Sequence, residues 1–147
     1  MRVDVGIEDE PERVIPAGGA QGRYRVVVSG YGGTSGGFAL TVAPADVAAL
    51  TVGESTPGTI SGAGDARVFE FDVAAGGPVT VVVDPDQDLD AVLTVLDPSG
   101  APVYMDGSSE GEREQVVTSD EGPGHYRVVV SGFASTAGSF DLIVTST

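Results

Sequence analysis

The 147-residue sequence contains no cysteine and no lysine. The absence of cysteine excludes disulfides, thiolate metal ligands and cysteine nucleophiles, although it does not exclude export. Seven arginines are opposed by 22 acidic residues, so the formal net charge is −15. Because such a surface repels phosphate backbones and anionic lipid, nucleic acids and membrane surfaces are poor partners, whereas proteins and neutral glycan polymers remain open.

Long apolar runs are also missing. No segment approaches the ~20 consecutive apolar residues that a membrane-spanning helix needs. The N-terminus, MRVDVGIEDE, has acidic residues where an export signal has a cationic and then an apolar segment. We therefore expect either a cytosolic chain or part of a longer polypeptide. With 41% hydrophobic residues, the chain has enough apolar surface to build a core.

One segment of the chain occurs twice. GRYRVVVSGYGGTSGGFALTV at 22–42 returns as GHYRVVVSGFASTAGSFDLIV at 124–144, an offset of 102 residues (124 − 22). The repeat predicts the rear half of one unit at 1–45 and a complete unit at 46–147. The half-unit carries too few strands to bury its own apolar face. The missing strands would come from a longer tandem array, from another polypeptide, or from a second copy in a dimer or filament.

The complete unit is a series of short apolar segments separated by turn residues, with no helical period. Such spacing predicts an all-β fold, an antiparallel jelly-roll-like β-sandwich with hairpin-like connections. Residues 43–50 are interpreted as a linker. Tyr126, which begins a strand, fits either a tyrosine corner or a plain core aromatic. The eight predicted strands are 58–62, 66–73, 79–84, 91–97, 102–106, 113–117, 125–132 and 139–145.

In this strand order residues 52–145 resemble the bacterial pre-peptidase C-terminal domain, a family that includes the collagen-binding domains of clostridial collagenases. The motifs that carry the resemblance are TVGESTPGTISGAGDARVFEFDV, DQDLDAVLTVLDPSGAPV, DGSSEGEREQVV, GHYRVVVSGF and GSFDLIV. The resemblance implies a sandwich appended to secreted enzymes, often proteases, and hence an extracellular or cell-surface location. It also implies calcium near the domain entrance in some members. Here Arg67 stands close to Asp65, and its charge would repel a cation at that point.

The acidic segment DPDQDLD at 84–90 raises the question of a metal site. It is not an EF-hand loop, because Leu89 and Val95 replace the required glycine and glutamate. A different oxygen cage for Ca²⁺, the one cofactor that we consider, would combine Asp86, Asp88 and Asp90 with Asp106 or Glu114. The alternative is structural: Asp88 and Asp90 accept backbone N–H bonds, while Asp84 and Asp86 face water.

Catalysis and ligand binding have few candidates. His125 is the only histidine, and it corresponds to Arg23 in the first copy, as expected at a tolerant exposed position. No nucleophile elbow, zinc-binding helix or phosphate-binding loop is present, so we do not expect an enzyme. Three aromatic side chains could contact sugars or extended peptides, or could instead cap the core: Tyr31, Tyr104 and Phe133.

These observations predict a non-catalytic accessory domain of a secreted or surface protein. It would aid substrate targeting, adhesion or maturation of an attached module. One alternative is a structural protein that self-assembles through residues 1–45. Another is a calcium-dependent binding module.

Overall fold

A computed structural model of the chain describes residue 14 and residues 22–105, 107–119 and 122–146. The regular structure in these ranges is almost entirely strand. The nine strands are β1 (Val47–Ala49), β2 (Ser55–Ile60), β3 (Ala66–Val73), β4 (Val79–Pro85), β5 (Ala91–Leu96), β6 (Pro102–Met105), β7 (Glu114–Val117), β8 (Gly124–Gly132) and β9 (Gly138–Ser146). All eight predicted strands are present, with bounds shifted by a few residues.

The strands form two sheets that pack as a sandwich. One sheet has five strands in the order β1-β3-β8-β5-β6, and the other has four in the order β2-β9-β4-β7. Neighbouring strands run antiparallel except β1 and β3, which are parallel. The predicted fold class is therefore confirmed.

The connections differ from the hairpins that the spacing suggested. Among the described strands, β5 and β6 alone are both consecutive in sequence and paired. The turn between them is held by Asp97, whose Oδ1 accepts N–H bonds from Ser99 and Ala101, each at 2.8 Å. Every other pair of consecutive strands lies in different sheets, so the chain crosses repeatedly from one sheet to the other.

The core follows directly from the alternation of the strand sequences, because successive side chains in a strand point to opposite faces. In β4 every second residue from Val79 to Val83 is buried, and β8 shows the same period from Tyr126 to Val130. In β3 the period runs from Phe69 to Val73, with Val68 buried as well. The fully enclosed side chains include Val79, Val81, Val83, Leu93, Val95, Val116, Tyr126, Val128 and Leu142. Removing this apolar surface from water is the main driving force for the fold.

Tyr126 satisfies both interpretations that the sequence left open. Its ring is buried and stacks on Phe71, with centroids 5.2 Å apart and planes at 9°. Its hydroxyl donates a 2.8 Å hydrogen bond to the carbonyl of Gly122, four residues upstream. This is the tyrosine-corner geometry, and it fixes the chain where it enters β8.

The linker interpretation of residues 43–50 is wrong in part. Residues Val47–Ala49 form β1, which lies beside β3 in parallel register from Val47 opposite Val68. The preceding residues, 22–46, form no strand in the described range and contain one 3-10 turn, Tyr31–Gly33. The boundary at residue 45 stays a prediction, since residues 1–13 and 15–21 of the half-unit lie outside the described ranges.

Candidate binding surface

Asp86 is the centre of the acidic segment, and it is exposed, as the sequence suggested. Its carboxylate also accepts hydrogen bonds from within the fold. Its Oδ2 accepts hydrogen bonds from the backbone N–H and the hydroxyl of Ser139, each at 2.7 Å. Its Oδ1 accepts the N–H of Asp88 at 3.2 Å. The Ser139 amide and hydroxyl, the largest causes, favour the ionised carboxylate and hold the pKa of Asp86 below its ordinary value of 3.8. Asp86 therefore ties the end of β4 to the start of β9.

The other acidic residues of the segment make different contacts. Asp84 forms an exposed ion pair with Arg113, at 3.0 Å between Oδ2 and Nη2. Asp88 is exposed. The backbone carbonyl of Asp90 accepts the N–H of Phe133 at 2.8 Å. The structural alternative did not expect the carboxylate of Asp86 to accept backbone N–H bonds, and the structure shows that it does.

Glu114 is the buried acid of the set. It points into the sandwich from β7, and its Oε1 accepts the backbone N–H groups of Gly107 and Ser108 at 3.3 and 2.8 Å. These bonds compensate for the desolvation of a carboxylate inside the fold. Glu114 therefore closes the loop between β6 and β7.

The predicted cation site receives no support from the four candidate acids that are described. No three His, Asp or Glu side chains within the described ranges are grouped so as to hold a metal ion. Asp106 lies outside those ranges, so the site with Asp106 stays a prediction.

At the domain entrance Arg67 lies beside Asp65. Its guanidinium lies 3.8 Å from Oδ2 of Asp65, and its Nε donates to the carbonyl of Thr59 at 2.8 Å. The same Oδ2 accepts the N–H of Ser61 at 2.9 Å. The Asp65 carboxylate is thus already engaged by an internal cation and a backbone donor.

A shallow groove of about 690 Å³ lies across β2, β9 and β4. Asp141 of β9 is directly opposite Asp84 of β4 and Pro57 of β2, so two exposed carboxylates face each other across neighbouring strands. Like charges in such a pair are unfavourable, and a cationic side chain of a ligand would relieve them. The groove is lined by Pro57, Gly58, Thr59, Asp84, Pro85, Asp86, Ser139, Phe140 and Asp141. Sequence reasoning missed it because the three strands are far apart in the chain.

Phe133 is the one predicted ligand-contact residue whose side chain is described. It is exposed on a 3-10 turn, Phe133–Ser135, that directly follows β8. Tyr31 begins the equivalent turn of the first copy, and Tyr104 lies in β6, but their side chains lie outside the description. Ligand binding by these three residues stays a prediction.

His125 lies on the outer face of the five-stranded sheet. Its Nδ1 is 3.1 Å from Asp72 and its Nε2 is 3.3 Å from Glu70, both on β3. Arg127 reaches the same Glu70 carboxylate at 3.8 Å. Both ring nitrogens of His125 thus contact carboxylates of β3, and the Arg127 guanidinium lies near one of them. These contacts join the outer faces of β8 and β3.

Comparisons with known proteins identify a family for part of the chain. Residues 65–132 match the family model of the bacterial pre-peptidase C-terminal domain, which confirms the resemblance. The fold is similar to the crystal structure of the pre-peptidase C-terminal domain of a collagenase from Bacillus anthracis. The TM-score is 0.58 at 16% identity, covering 71% of this chain and all of that one.

A second similar structure is PliG of Aeromonas hydrophila, a periplasmic inhibitor of g-type lysozyme. Its TM-score is 0.44 at 16% identity, over 67% of this chain and 96% of that one. The comparison with curated proteins finds no match. Pre-peptidase C-terminal domains are non-catalytic and occur in secreted proteins. Among the described residues, no helix is long and apolar enough to cross a membrane.

Proposed function

We propose, from the premise that residues 65–132 carry a bacterial pre-peptidase C-terminal domain, that this protein is an accessory binding module of an exported protein. It would hold an attached module against a polymeric protein substrate. The observation that carries this proposal is the pair of facing carboxylates, Asp84 and Asp141, in the shallow groove across β2, β9 and β4.

The chemistry of the groove favours a basic polypeptide. Asp84 and Asp141 face each other on its wall, and one arginine, Arg113, partly neutralises Asp84 from the edge. The whole chain adds a formal charge of −15. The negative charge would attract an arginine or lysine side chain of a substrate over a long range. At short range that side chain would lie between the two carboxylates and reduce their repulsion.

Co-sedimentation of the full chain with insoluble fibres tests the proposal. Collagen fibres are the protein probe, and cellulose is the neutral glycan probe. We expect the chain to pellet with collagen and to be released by high salt, because surface attraction between charges is screened. Failure to pellet with collagen would contradict substrate binding of this type, and pelleting with cellulose alone would assign a glycan ligand instead.

A charge-matched pair of variants locates the surface. Asp84→Asn with Asp141→Asn removes two charges from the groove, and Asp46→Asn with Glu110→Gln removes two from exposed positions outside its lining. We expect the first pair to weaken collagen binding about tenfold, equivalent to 1.4 kcal/mol, and the second to change it little. Equal losses would show that net charge, rather than the groove, determines binding.

A further inference from the structure

Residues 22–42 expose the same apolar side chains that the sandwich buries in the second copy of the repeat. In the second copy six alternating residues are at most 3% exposed: Tyr126, Val128, Val130, Phe140, Leu142 and Val144. Their counterparts, 102 positions earlier, are between 49% and 81% exposed: Tyr24, Val26, Val28, Phe38, Leu40 and Val42. The two rows keep the period of two that places one face of a strand against a core.

The turn between the two rows already has the same shape in both copies. A 3-10 turn follows Gly30 in the first copy and Gly132 in the second. A Cβ at Gly30 would lie 2.0 Å from the carbonyl oxygen of Thr34, and a Cβ at Gly132 would lie 2.2 Å from that of Thr136. The first copy is therefore preformed at its turn, although its two arms are not paired as strands.

The second copy shows what covers such a pair of arms. β8 lies between β3 and β5, and β9 lies between β2 and β4. All four covering strands belong to the front half of the unit, Ser55 to Leu96. A ligand for residues 22–42 must therefore present four strands of this type, with one gap in each of its two sheets.

The arginines beside the apolar side chains indicate which strand would lie next to residues 22–28. Arg23 and Arg25 correspond to His125 and Arg127. In the second copy those two residues contact Asp72 and Glu70, at 3.1 Å for His125 with Asp72 and 3.8 Å for Arg127 with Glu70. The first copy thus carries two cations at positions where a β3-like strand supplies acids.

We propose that residues 22–42 are a docking surface for the front half of a second unit of this repeat, which accepts them as its two missing strands. The occupant is a segment built like residues 46–105, with acids at the positions of Glu70 and Asp72. This inference does not depend on the proposed binding function, since the groove lies entirely on the complete unit.

A second copy of residues 22–42 is a poorer occupant. Pairing two such segments brings arginine rows together and supplies no acid opposite Arg23 or Arg25. Like charges on neighbouring strands are destabilising. Two rear halves would also lack the strands that flank β8 and β9 in the complete unit.

Hydrogen–deuterium exchange tests the proposal on two proteins. One is the full chain, and the other is the chain preceded at Asp4 by an additional copy of residues 46–105, which restores the repeat spacing. We expect amides in 24–28 and 38–42 to exchange at least about 100-fold more slowly in the extended protein, because opening then requires unfolding of a packed sandwich. Amides of 124–144 serve as the internal control for folding.

Variants with reversed charges test the predicted neighbour of Arg23 and Arg25. Glu70→Arg and Asp72→Arg in the additional copy alone should reduce the new protection about tenfold or more, and Arg23→Asp with Arg25→Glu should restore it. Unchanged exchange in the extended protein overturns the proposal. So does slow exchange in the natural chain accompanied by a dimer in light scattering, because the occupant would then be a second copy. If the charge-reversed variants leave the amide protection of residues 24–28 and 38–42 unchanged, the assignment of a β3-like neighbour is overturned.

Discussion

Residues 22–42 and 124–144 share most of their sequence but not their structure. In the second copy the two arms are the central strands of their sheets, β8 and β9. In the first copy the arms form no strand within the described range, and their apolar rows are exposed. The turn that joins the arms is nevertheless the same in both copies.

The difference shows which part of this structure is local and which depends on neighbours. A turn is determined by a glycine and a few backbone contacts within five residues. A central strand obtains its hydrogen bonds and its burial from strands elsewhere in the chain, and a few strands alone cannot supply them. Alternating apolar residues are therefore necessary for β8 and β9 but not sufficient. The front half of the unit, which contains β2 to β5, supplies the strands with which they pair.

The largest difference between the copies is expected from a matched pair of core truncations. Leu142→Ala should lower the free energy of unfolding by about 2–5 kcal/mol, because Leu142 is fully buried and its truncation leaves a cavity. Leu40→Ala should change it by no more than about 0.5 kcal/mol, since Leu40 is exposed. Urea unfolding followed by circular dichroism measures both. Comparable losses would mean that the first copy is packed in solution.

The next largest effect concerns the glycine before the shared turn. Gly132→Ala would place a methyl group 2.2 Å from the carbonyl oxygen of Thr136, and the backbone must shift to accommodate it. We expect a loss of about 1–3 kcal/mol in urea unfolding. Gly30→Ala makes the same clash with Thr34 but should leave the cooperative transition unchanged. A loss in Gly30→Ala equal to that in Gly132→Ala would show that the two turns belong to one folding unit.

Sequence alone predicted the strands well because their signals are local. The period of two and the intervening turn residues identify β3, β4 and β5 to within one residue. The pairing order was not predictable in the same way, because consecutive strands lie mostly in different sheets. β1 was missed because Val47–Ala49 is too short to show any alternation.

The acidic segment shows the same limit at the level of side chains. Four aspartates recur at every second position, and the spacing alone does not distinguish Asp86 from Asp88. Their roles differ because Ser139, 53 residues away, donates two bonds to Asp86. A role that depends on such a distant donor needs the tertiary structure to be recognised.

That contact predicts a pH dependence specific to the second copy, where Ser139 stands in place of Gly37 in the first. The folded-state pKa of Asp86 lies below 3.8, so its contribution to stability is present above the unfolded pKa of about 3.9. The contribution is lost as the pH falls through the folded pKa. The stability difference between the natural chain and Asp86→Asn should therefore be constant from pH 7 to about pH 5 and shrink towards pH 3.

Urea unfolding of both proteins across this pH range measures the effect. Ser139→Ala is the control, because it removes the hydroxyl donor and keeps the N–H donor. The stability difference between the natural chain and Ser139→Ala should also shrink as the pH falls, but by less than the difference for Asp86→Asn. A stability difference that grows as the pH falls would contradict the role assigned to Asp86.

The smallest expected effect comes from transferring one glycine of the first turn into the second. Ala134 has φ = 45° in the left-handed region, where its first-copy counterpart Gly32 has φ = 58°. A left-handed conformation costs an L-residue about 1–2 kcal/mol, and part of the gain from glycine is offset by the greater entropy of its unfolded chain. Ala134→Gly should therefore raise the free energy of unfolding by about 0.5 kcal/mol. The reverse change, Gly32→Ala, should not move the cooperative transition. If Ala134→Gly lowers stability instead, contacts of the Ala134 methyl group outweigh the backbone strain, and the two turns are alike in shape but not in energy.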